Sequence, residues 1–104
     1  MEREALLQRI KEVVRGFDPE AEIILYGSRA RGDAEPGSDW DLLVLLSEEP
    51  DRHERNALMS AIHKVELASD EILVPIIRTK EFWDSKLARA MPLHENIDEE
   101  GIRL

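Results

Sequence analysis

Residues 27–41, GSRARGDAEPGSDWD, form a polar stretch between two apolar runs, and this stretch decides how the chain folds. Residues 21–26 before it are nearly all apolar and rich in strand formers, which predicts a buried strand that ends at Gly27. Residues 39–46 after it predict a second strand. Because the connection is short, we expect Gly27 and residues 39–41 to meet at the same end of a small sheet.

The second strand begins with Asp39 and Asp41. Side chains alternate between the faces of a strand, so both carboxylates should point to one side and Trp40 to the other. Adjacent carboxylates repel each other unless a cation lies between them, and magnesium is a hard cation that carboxylate and phosphate oxygens hold. We interpret the pair as a magnesium site; the alternative is a strand entrance with two solvated carboxylates.

Gly27 and Ser28 end the first strand. A glycine at this point allows a ligand to approach the backbone closely. The N–H groups that open a short helix over 29–33, with Ser28 as its N-cap, are donors for an anion such as a triphosphate. A turn without a ligand is the alternative for the dipeptide by itself. The dipeptide and Asp-x-Asp together, at one fixed spacing, are expected by chance in only about a few chains per thousand of this length.

The rest of the chain predicts further helices and strands in alternation. Apolar residues recur at helical spacing within residues 3–17, and Gly16 is expected to end that helix. A helix over about residues 52–67 should have Ser47 or Asp51 as its N-cap. The chain therefore returns to a helix after each of the first two strands.

The C-terminal third predicts one more strand and two short helices. Residues 72–77 form the strand, and Pro75, which has no N–H, places it at a sheet edge or a bulge. Thr79 should cap a helix. A further helical turn should start at Pro92 and end at Gly101, before a tail or a short last strand.

This order of elements predicts an α/β (α+β) fold, a short mixed sheet with helices packed on one face, in a single domain spanning residues 1–104. The face of the second strand that carries Trp40 is wholly apolar and should lie against the helices. The face that carries Asp39 is polar only at its start. Its apolar remainder needs cover from the C-terminal segment or from a partner.

Composition narrows the range of partners. The chain has 23 acidic and 14 basic residues, a formal charge of −9, so we expect a basic protein or a metal–nucleotide complex rather than nucleic acid as its main partner. It has no cysteine, which excludes disulfides, thiol catalysis and a cysteine zinc site. Without a signal peptide or an apolar run of about 18 residues, we expect no membrane span and a cytoplasmic location.

Gly27-Ser28, ten further residues and Asp39-x-Asp41, running into the apolar residues 42–44, resemble the signature of the DNA polymerase β-like nucleotidyltransferase superfamily. The short chain resembles its minimal nucleotidyltransferase (MNT) branch, whose members usually bind a HEPN-domain protein and form toxin–antitoxin pairs. The resemblance implies transfer of AMP from ATP to an acceptor, with pyrophosphate leaving. In antitoxin members the acceptor is a tyrosine hydroxyl of the HEPN toxin, which is thereby silenced.

The resemblance also implies roles for the polar stretch. Gly27 and Ser28 would bind the β- and γ-phosphates of the nucleotide. Arg29 and Arg31 are candidates for contact with phosphate or with the partner, and solvated helix charges are an equal alternative. One or two magnesium ions would bridge the triphosphate and stabilise charge on the attacking and leaving oxygens.

The third strand departs from the family pattern. Active members usually have a third carboxylate in this strand, and the candidates here are Glu71 and then Asp70, both at its entrance. A charged strand cap is the alternative for each. With Glu71, the catalytic and metal-binding set is Asp39, Asp41 and Glu71. Without it, the two-metal site is incomplete and the protein is weak or inactive as an enzyme.

Three functions from different classes follow. The first is a magnesium-dependent nucleotidyltransferase that adenylylates a HEPN toxin, in a hetero- or homo-oligomer. The second is a non-enzymatic antitoxin that keeps the fold and neutralises its partner by occlusion. The third, a transferase for a small-molecule acceptor, is disfavoured because 104 residues leave no acceptor pocket unless a homodimer supplies one.

Polar residues outside the stretch are expected to be structural. His53, His63 and His94 lack metal-ligand spacing and should be surface or boundary residues. Residues 98–100, Asp-Glu-Glu, should be a solvated helix end or else face a basic partner.

Overall fold

The computed structural model describes residues 1–104, and its helices and strands follow the predicted alternation. The elements, in chain order, are α1 (Arg3–Phe17), β1 (Glu22–Tyr26), α2 (Ser28–Arg31), β2 (Trp40–Leu46), α3 (Arg52–Ser69), β3 (Leu73–Thr79), α4 (Lys80–Trp83), α5 (Lys86–Arg89), α6 (Pro92–Glu100) and β4 (Ile102–Arg103). No helix is both long and apolar enough to cross a membrane.

The four strands form one mixed sheet in the order β3-β2-β1-β4. β1 is antiparallel to both β2 and β4, whereas β2 and β3 are parallel and are connected through α3. Because of these directions, the end of β1 and the starts of β2 and β3 lie at the same end of the sheet. The predicted α/β fold with a short mixed sheet is confirmed, and Pro75 lies on an edge strand, as expected.

One face of the sheet packs against α1 and α3. Trp40 and alternate residues of β2 point into this core, where they meet the apolar stripes of both helices. The helix residues buried there are Leu6, Leu7, Ile10 and Val14 from α1 and Leu58, Ile62 and Val65 from α3. The prediction that the Trp40 face lies against helices is confirmed.

The opposite face of the sheet is covered by the C-terminal segment. Leu43 and Leu45 of β2 pack there with Trp83 of α4 and Ile97 of α6. Two covers were predicted for this face, the C-terminal segment or a partner. The C-terminal segment is the one found, and it buries these leucines. Helices therefore lie on both faces of the sheet and not on one face as predicted, although the second layer is small.

Two helix ends differ from the prediction. α1 continues through Gly16 to Phe17, because the N–H of the following residue still bonds to a carbonyl four residues back. α2 begins at Ser28 itself, so Gly27 takes the N-cap position and no side chain caps this helix. Asp51, one of the two predicted candidates, does cap α3.

His94 was expected at the surface or boundary, and that expectation is wrong. Its side chain lies against the second core, the cluster of Leu43, Leu45, Trp83 and Ile97, and is only 5% exposed. The ring stacks on Trp83 with 4.3 Å between the ring centroids, and its Nε2 lies 3.0 Å from the Trp83 carbonyl oxygen. Stacking and a polar partner explain why an imidazole is stable in this position.

Candidate active site

Asp39 and Asp41 lie close together at the start of β2, on the face of the sheet opposite α1 and α3. Asp41 is in β2 and Asp39 precedes it by two residues, so the buried Trp40 between them points to the other face. Burial raises the pKa of Asp41, and the charges of Asp39 and Glu100 raise it further, while that of Arg31 opposes them. The two carboxylates are thus close enough to repel each other, and a cation between them would relieve the repulsion.

Gly27 brings the backbone of the polar stretch against Asp41. The preceding residue, Tyr26, is the antiparallel partner of Asp41 in β2. Gly27 has a φ of +76°, and a Cβ at this position would overlap the Asp41 carboxylate. Only glycine permits both this backbone conformation and this close approach. The two ends of the polar stretch therefore meet, as the short connection predicted.

Tyr26 is a neighbour of the carboxylate pair that the sequence did not single out. Burial raises the pKa of its hydroxyl, and the negative charge of Asp41 adds to the effect. Its side chain packs against the second core, which includes Ile24. The Tyr26 hydroxyl therefore stays neutral beside the carboxylates.

Glu100, the last residue of α6, reaches the polar stretch from 73 positions away. Its Oε1 accepts a hydrogen bond from the Gly27 N–H at 3.1 Å, and its Oε2 lies 3.0 Å from Arg31 Nη1. These contacts, that with Arg31 first, hold the pKa of Glu100 below its ordinary value. Arg31 also pairs with Asp33 at 3.2 Å. The expectation of a solvated helix end at residues 98–100 is therefore wrong for Glu100.

The two arginines of the polar stretch face different sides of the sheet. Arg29 donates from Nε and Nη2 to the Ser38 carbonyl oxygen, at 3.3 and 3.0 Å. Its guanidinium carbon lies 4.5 Å from the centroid of the Trp40 ring. Arg29 therefore stabilises the loop between α2 and β2 on the side of the sheet that carries Trp40. Arg31 is the candidate whose charge acts on Asp41.

Glu71 and Asp70 do not join the carboxylate pair. Leu73 pairs with Trp40, and Glu71, two residues earlier, lies on the same face as both. Its Oε2 accepts a hydrogen bond from Trp40 Nε1 at 3.1 Å and lies 3.8 Å from Arg29 Nη2. Asp70 is exposed, with a φ of +58° at the end of α3. Neither candidate third carboxylate forms a metal-binding group with the pair.

Asp39 and Asp41 are the side chains that would hold a magnesium ion. The β3 partner of Asp41 is Val74, not a carboxylate, and no three His, Cys, Asp or Glu side chains of the chain form a group that could hold a metal. Magnesium, however, is commonly held by one or two carboxylates together with substrate phosphates. Asp39 and Asp41 match that ligand set once phosphate oxygens complete it.

The structure thus brings Gly27 and Ser28, the turn predicted to bind an anion, next to the carboxylate pair at one end of a mixed sheet. A family model, described as the nucleotidyltransferase domain, matches residues 7–101. This chain belongs to the nucleotidyltransferase domain family. The match runs from α1 to the end of α6, so it contains the whole polar stretch. The resemblance to nucleotidyltransferases, predicted from residues 27–44, is confirmed.

A curated relative of this nucleotidyltransferase-family chain carries a related name. It is "Putative protein adenylyltransferase MJ0141" of Methanocaldococcus jannaschii, which is 38% identical over 58 residues. The match covers 56% of this chain and 59% of that protein. The chain thus spans less than two thirds of the length of this relative.

Solved structures with the same architecture come from toxin–antitoxin pairs. The crystal structure of a toxin–antitoxin with AMP-PNP has a TM-score of 0.65 and 21% identity, over 92% of this chain and 69% of that one. A mutant of the toxin–antitoxin MntA-HpeT has a TM-score of 0.63 and 21% identity, over 94% and 70%. At these identities the likeness establishes the fold.

Proposed function

We propose that this protein is a magnesium-dependent adenylyltransferase that moves AMP from ATP to a hydroxyl of a partner toxin and thereby acts as its antitoxin. The observation that carries the proposal is the close approach of Gly27 to the Asp41 carboxylate, because it joins an anion-binding turn to a carboxylate pair. Family membership, the relative named for adenylyl transfer and the toxin–antitoxin structures support it. The partner is a HEPN-domain protein, and the acceptor is a tyrosine.

The proposed reaction replaces one phosphorus–oxygen bond with another. The acceptor hydroxyl oxygen attacks the α-phosphorus of ATP and loses its proton, while the bond to the bridging oxygen breaks and pyrophosphate leaves. Gly27 and Ser28 would hold the β- and γ-phosphates, with Arg31 beside them. Bound to Asp39 and Asp41, magnesium would supply positive charge near the attacking and leaving oxygens. Catalysis would rest on positioning and electrostatics.

The surface beside the carboxylate pair suits a protein acceptor. Val74, the β3 partner of Asp41, is 38% exposed, and Ile72 is 55% exposed. Both lie on the sheet face that carries Asp39 and Asp41, since they alternate with Leu73, which faces the other way. Exposed apolar side chains next to one another favour contact with another protein. They therefore support an acceptor that docks across the edge of the sheet.

A non-enzymatic antitoxin is the second candidate, and one observation favours it. Glu71 is held on the Trp40 side, and Val74 stands opposite Asp41, so the third strand and its entrance supply no third carboxylate for a two-metal site. In this case the protein keeps the fold and neutralises its partner by binding alone.

Labelled ATP separates the two candidates. The protein, magnesium and a HEPN-domain toxin from the neighbouring reading frame are incubated with ATP radiolabelled at the α- or the γ-phosphate. We expect the toxin to be labelled from the α-phosphate only, and not at all by the Asp39→Asn/Asp41→Asn variant. Asp70→Asn is the matched control and should keep the activity, because this exposed carboxylate forms no metal-binding group with the pair and asparagine tolerates its backbone conformation.

The enzymatic proposal fails if the natural protein does not label the toxin and the double variant still neutralises it. That combination is what the second candidate predicts, because occlusion needs the fold but not the carboxylate charges.

A further inference from the structure

Glu100 accepts hydrogen bonds from two groups that, in the proposed function, donate to the nucleotide. Its two carboxylate oxygens accept from the Gly27 N–H, at 3.1 Å, and from Arg31 Nη1, at 3.0 Å. A backbone N–H and a guanidinium are donors that bind phosphate oxygens as readily as carboxylate oxygens. A phosphate group and Glu100 therefore cannot use these donors at the same time.

We propose that Glu100 is an internal competitor for a polyphosphate ligand. Its carboxylate holds the Gly27 and Arg31 donors in the nucleotide-free protein and leaves them when the ligand binds. The inference rests on the proposed function only for the identity of the ligand as a nucleoside triphosphate. The chemical class, a polyphosphate, follows from the donors and from the adjoining carboxylate pair, which admits an anion only together with a cation.

The Glu100 side chain can leave without moving α6. It is 23% exposed, at the rim of the site. The helix itself is fixed, because Ile97 is buried in the second core and β4 pairs with β1 directly after Gly101. Gly101 lies so close to Ile24 that a Cβ there would be 2.7 Å from the Ile24 Cγ2. Rotation of the Glu100 side chain is therefore sufficient, and it turns the carboxylate to solvent.

Competition of this kind requires a minimum intrinsic affinity from any ligand that is to displace Glu100. The apparent dissociation constant equals the intrinsic one divided by the fraction of molecules whose donors are free. A weakly charged anion gains too little from one N–H and one guanidinium to displace a carboxylate that is already in place. A polyphosphate with magnesium gains in addition from Asp39 and Asp41. Glu100 therefore leaves the donors to ligands of high intrinsic affinity, such as a polyphosphate with magnesium, while a weakly bound anion does not occupy them.

Calorimetric titration tests the competition with three probes: magnesium with ATP, magnesium with tripolyphosphate, and AMP. We expect Glu100→Ala to bind ATP and tripolyphosphate about three- to tenfold more tightly than the natural protein, because all of its donors are free. AMP should bind both proteins equally, because it lacks the β- and γ-phosphates that these donors would bind in the proposed function. Glu99→Ala is the matched control, since it removes the same charge from an exposed neighbour in the same helix and should leave all three titrations unchanged.

Glu100→Gln is a second variant that keeps the size of the side chain, and it should show a smaller gain in the same direction. Equal melting temperatures of this variant and the natural protein, without ligand, establish that the variant is folded.

The titration with tripolyphosphate tests the inference, whereas labelling of the toxin tests the proposed function. Equal or weaker binding of tripolyphosphate by both Glu100 variants would overturn the inference, because Glu100 would then position Arg31 instead of competing with the ligand. Tighter binding without labelling of the toxin would support the inference and contradict the adenylyltransferase.

Discussion

Gly27 is the residue on which the candidate site depends most, for two independent reasons. A φ of +76° is costly for a residue with a Cβ, and that Cβ would also overlap the Asp41 carboxylate. Its N–H is, in addition, the donor that Glu100 takes. The conformational reason is visible in the sequence as a glycine at a strand end. The contact with Asp41 becomes visible only in the strand register, which pairs Tyr26 with Asp41.

Replacing Gly27 should affect binding and stability together. We expect Gly27→Ala to abolish nucleotide binding and to lower the free energy of unfolding by about 2 kcal/mol, through backbone strain and the clash with Asp41. Gly37→Ala is the matched control, because Gly37 also has a positive φ, +85°, but nothing lies within 4 Å of its Cβ position. It should show the strain alone and bind nucleotide normally. Urea unfolding and nucleotide titration check both variants; equal effects would contradict the close approach.

At the scale of elements, the helices and strands that follow from sequence are those that bury a regular set of their own residues. The stripes of α1 and α3 and the alternation of β2 are local patterns, so residues 3–17, 39–46 and 52–67 were predicted within a few positions. His94 and Glu100 were not, because their positions depend on contacts between α6 and distant elements. α6 returns to the site because Ile97 is buried in the second core and β4 pairs with β1.

The candidate site divides in the same way. Gly27, Asp39 and Asp41 could be predicted together because a short connection brings the ends of two neighbouring strands into contact. Glu71 could not be placed, because a shift of one residue in the register of β3 changes the face to which a side chain points. The observed register pairs Leu73 with Trp40 and so turns Glu71 away from the carboxylate pair.

Asp18 connects α1 to the end of β2, at the opposite end of the sheet from the candidate site. Its carboxylate accepts hydrogen bonds from the N–H groups of Ser47, at 2.7 Å, and Glu20, at 3.0 Å. Burial by itself would raise the pKa of Asp18, but these hydrogen bonds outweigh burial, so the pKa is lowered. The stability that the charged form contributes is therefore fully present above the ordinary pKa of 3.8 and is lost as the pH falls through the lower, folded value.

Asp18→Asn should accordingly lower the free energy of unfolding by about 1 kcal/mol at neutral pH, because the hydrogen bonds lose a charged acceptor. The difference from the natural protein should shrink as the pH falls below 3.8, where the natural side chain also loses its charge. Urea unfolding at a series of pH values measures it. Glu20→Gln, at an exposed neighbour, should show little difference at any pH. A deficit in Asp18→Asn that does not depend on pH would contradict the assignment.

For the whole molecule, the formal charge of −9 determines how a nucleotide can approach. A protein of this charge repels a free triphosphate at long range, and near the site Arg31 is already paired with Glu100 and Asp33. A magnesium-bound triphosphate carries less charge and brings the cation that Asp39 and Asp41 need. Metal and nucleotide should therefore bind as one ligand, each weakly without the other.

Magnesium and ATP together should raise the melting temperature of the protein, and Asp39→Asn should remove most of the rise. A ligand stabilises only the state that binds it, and at about one hundred times its dissociation constant it contributes about 2.7 kcal/mol. ATP with a chelator should give a much smaller rise, because Asp39 and Asp41 then face the triphosphate without a cation. Asp70→Asn should keep the full rise, since this exposed side chain forms no metal-binding group with the pair. An unchanged rise in Asp39→Asn would put the nucleotide elsewhere, because the substitution removes the charge that the cation needs and almost nothing else.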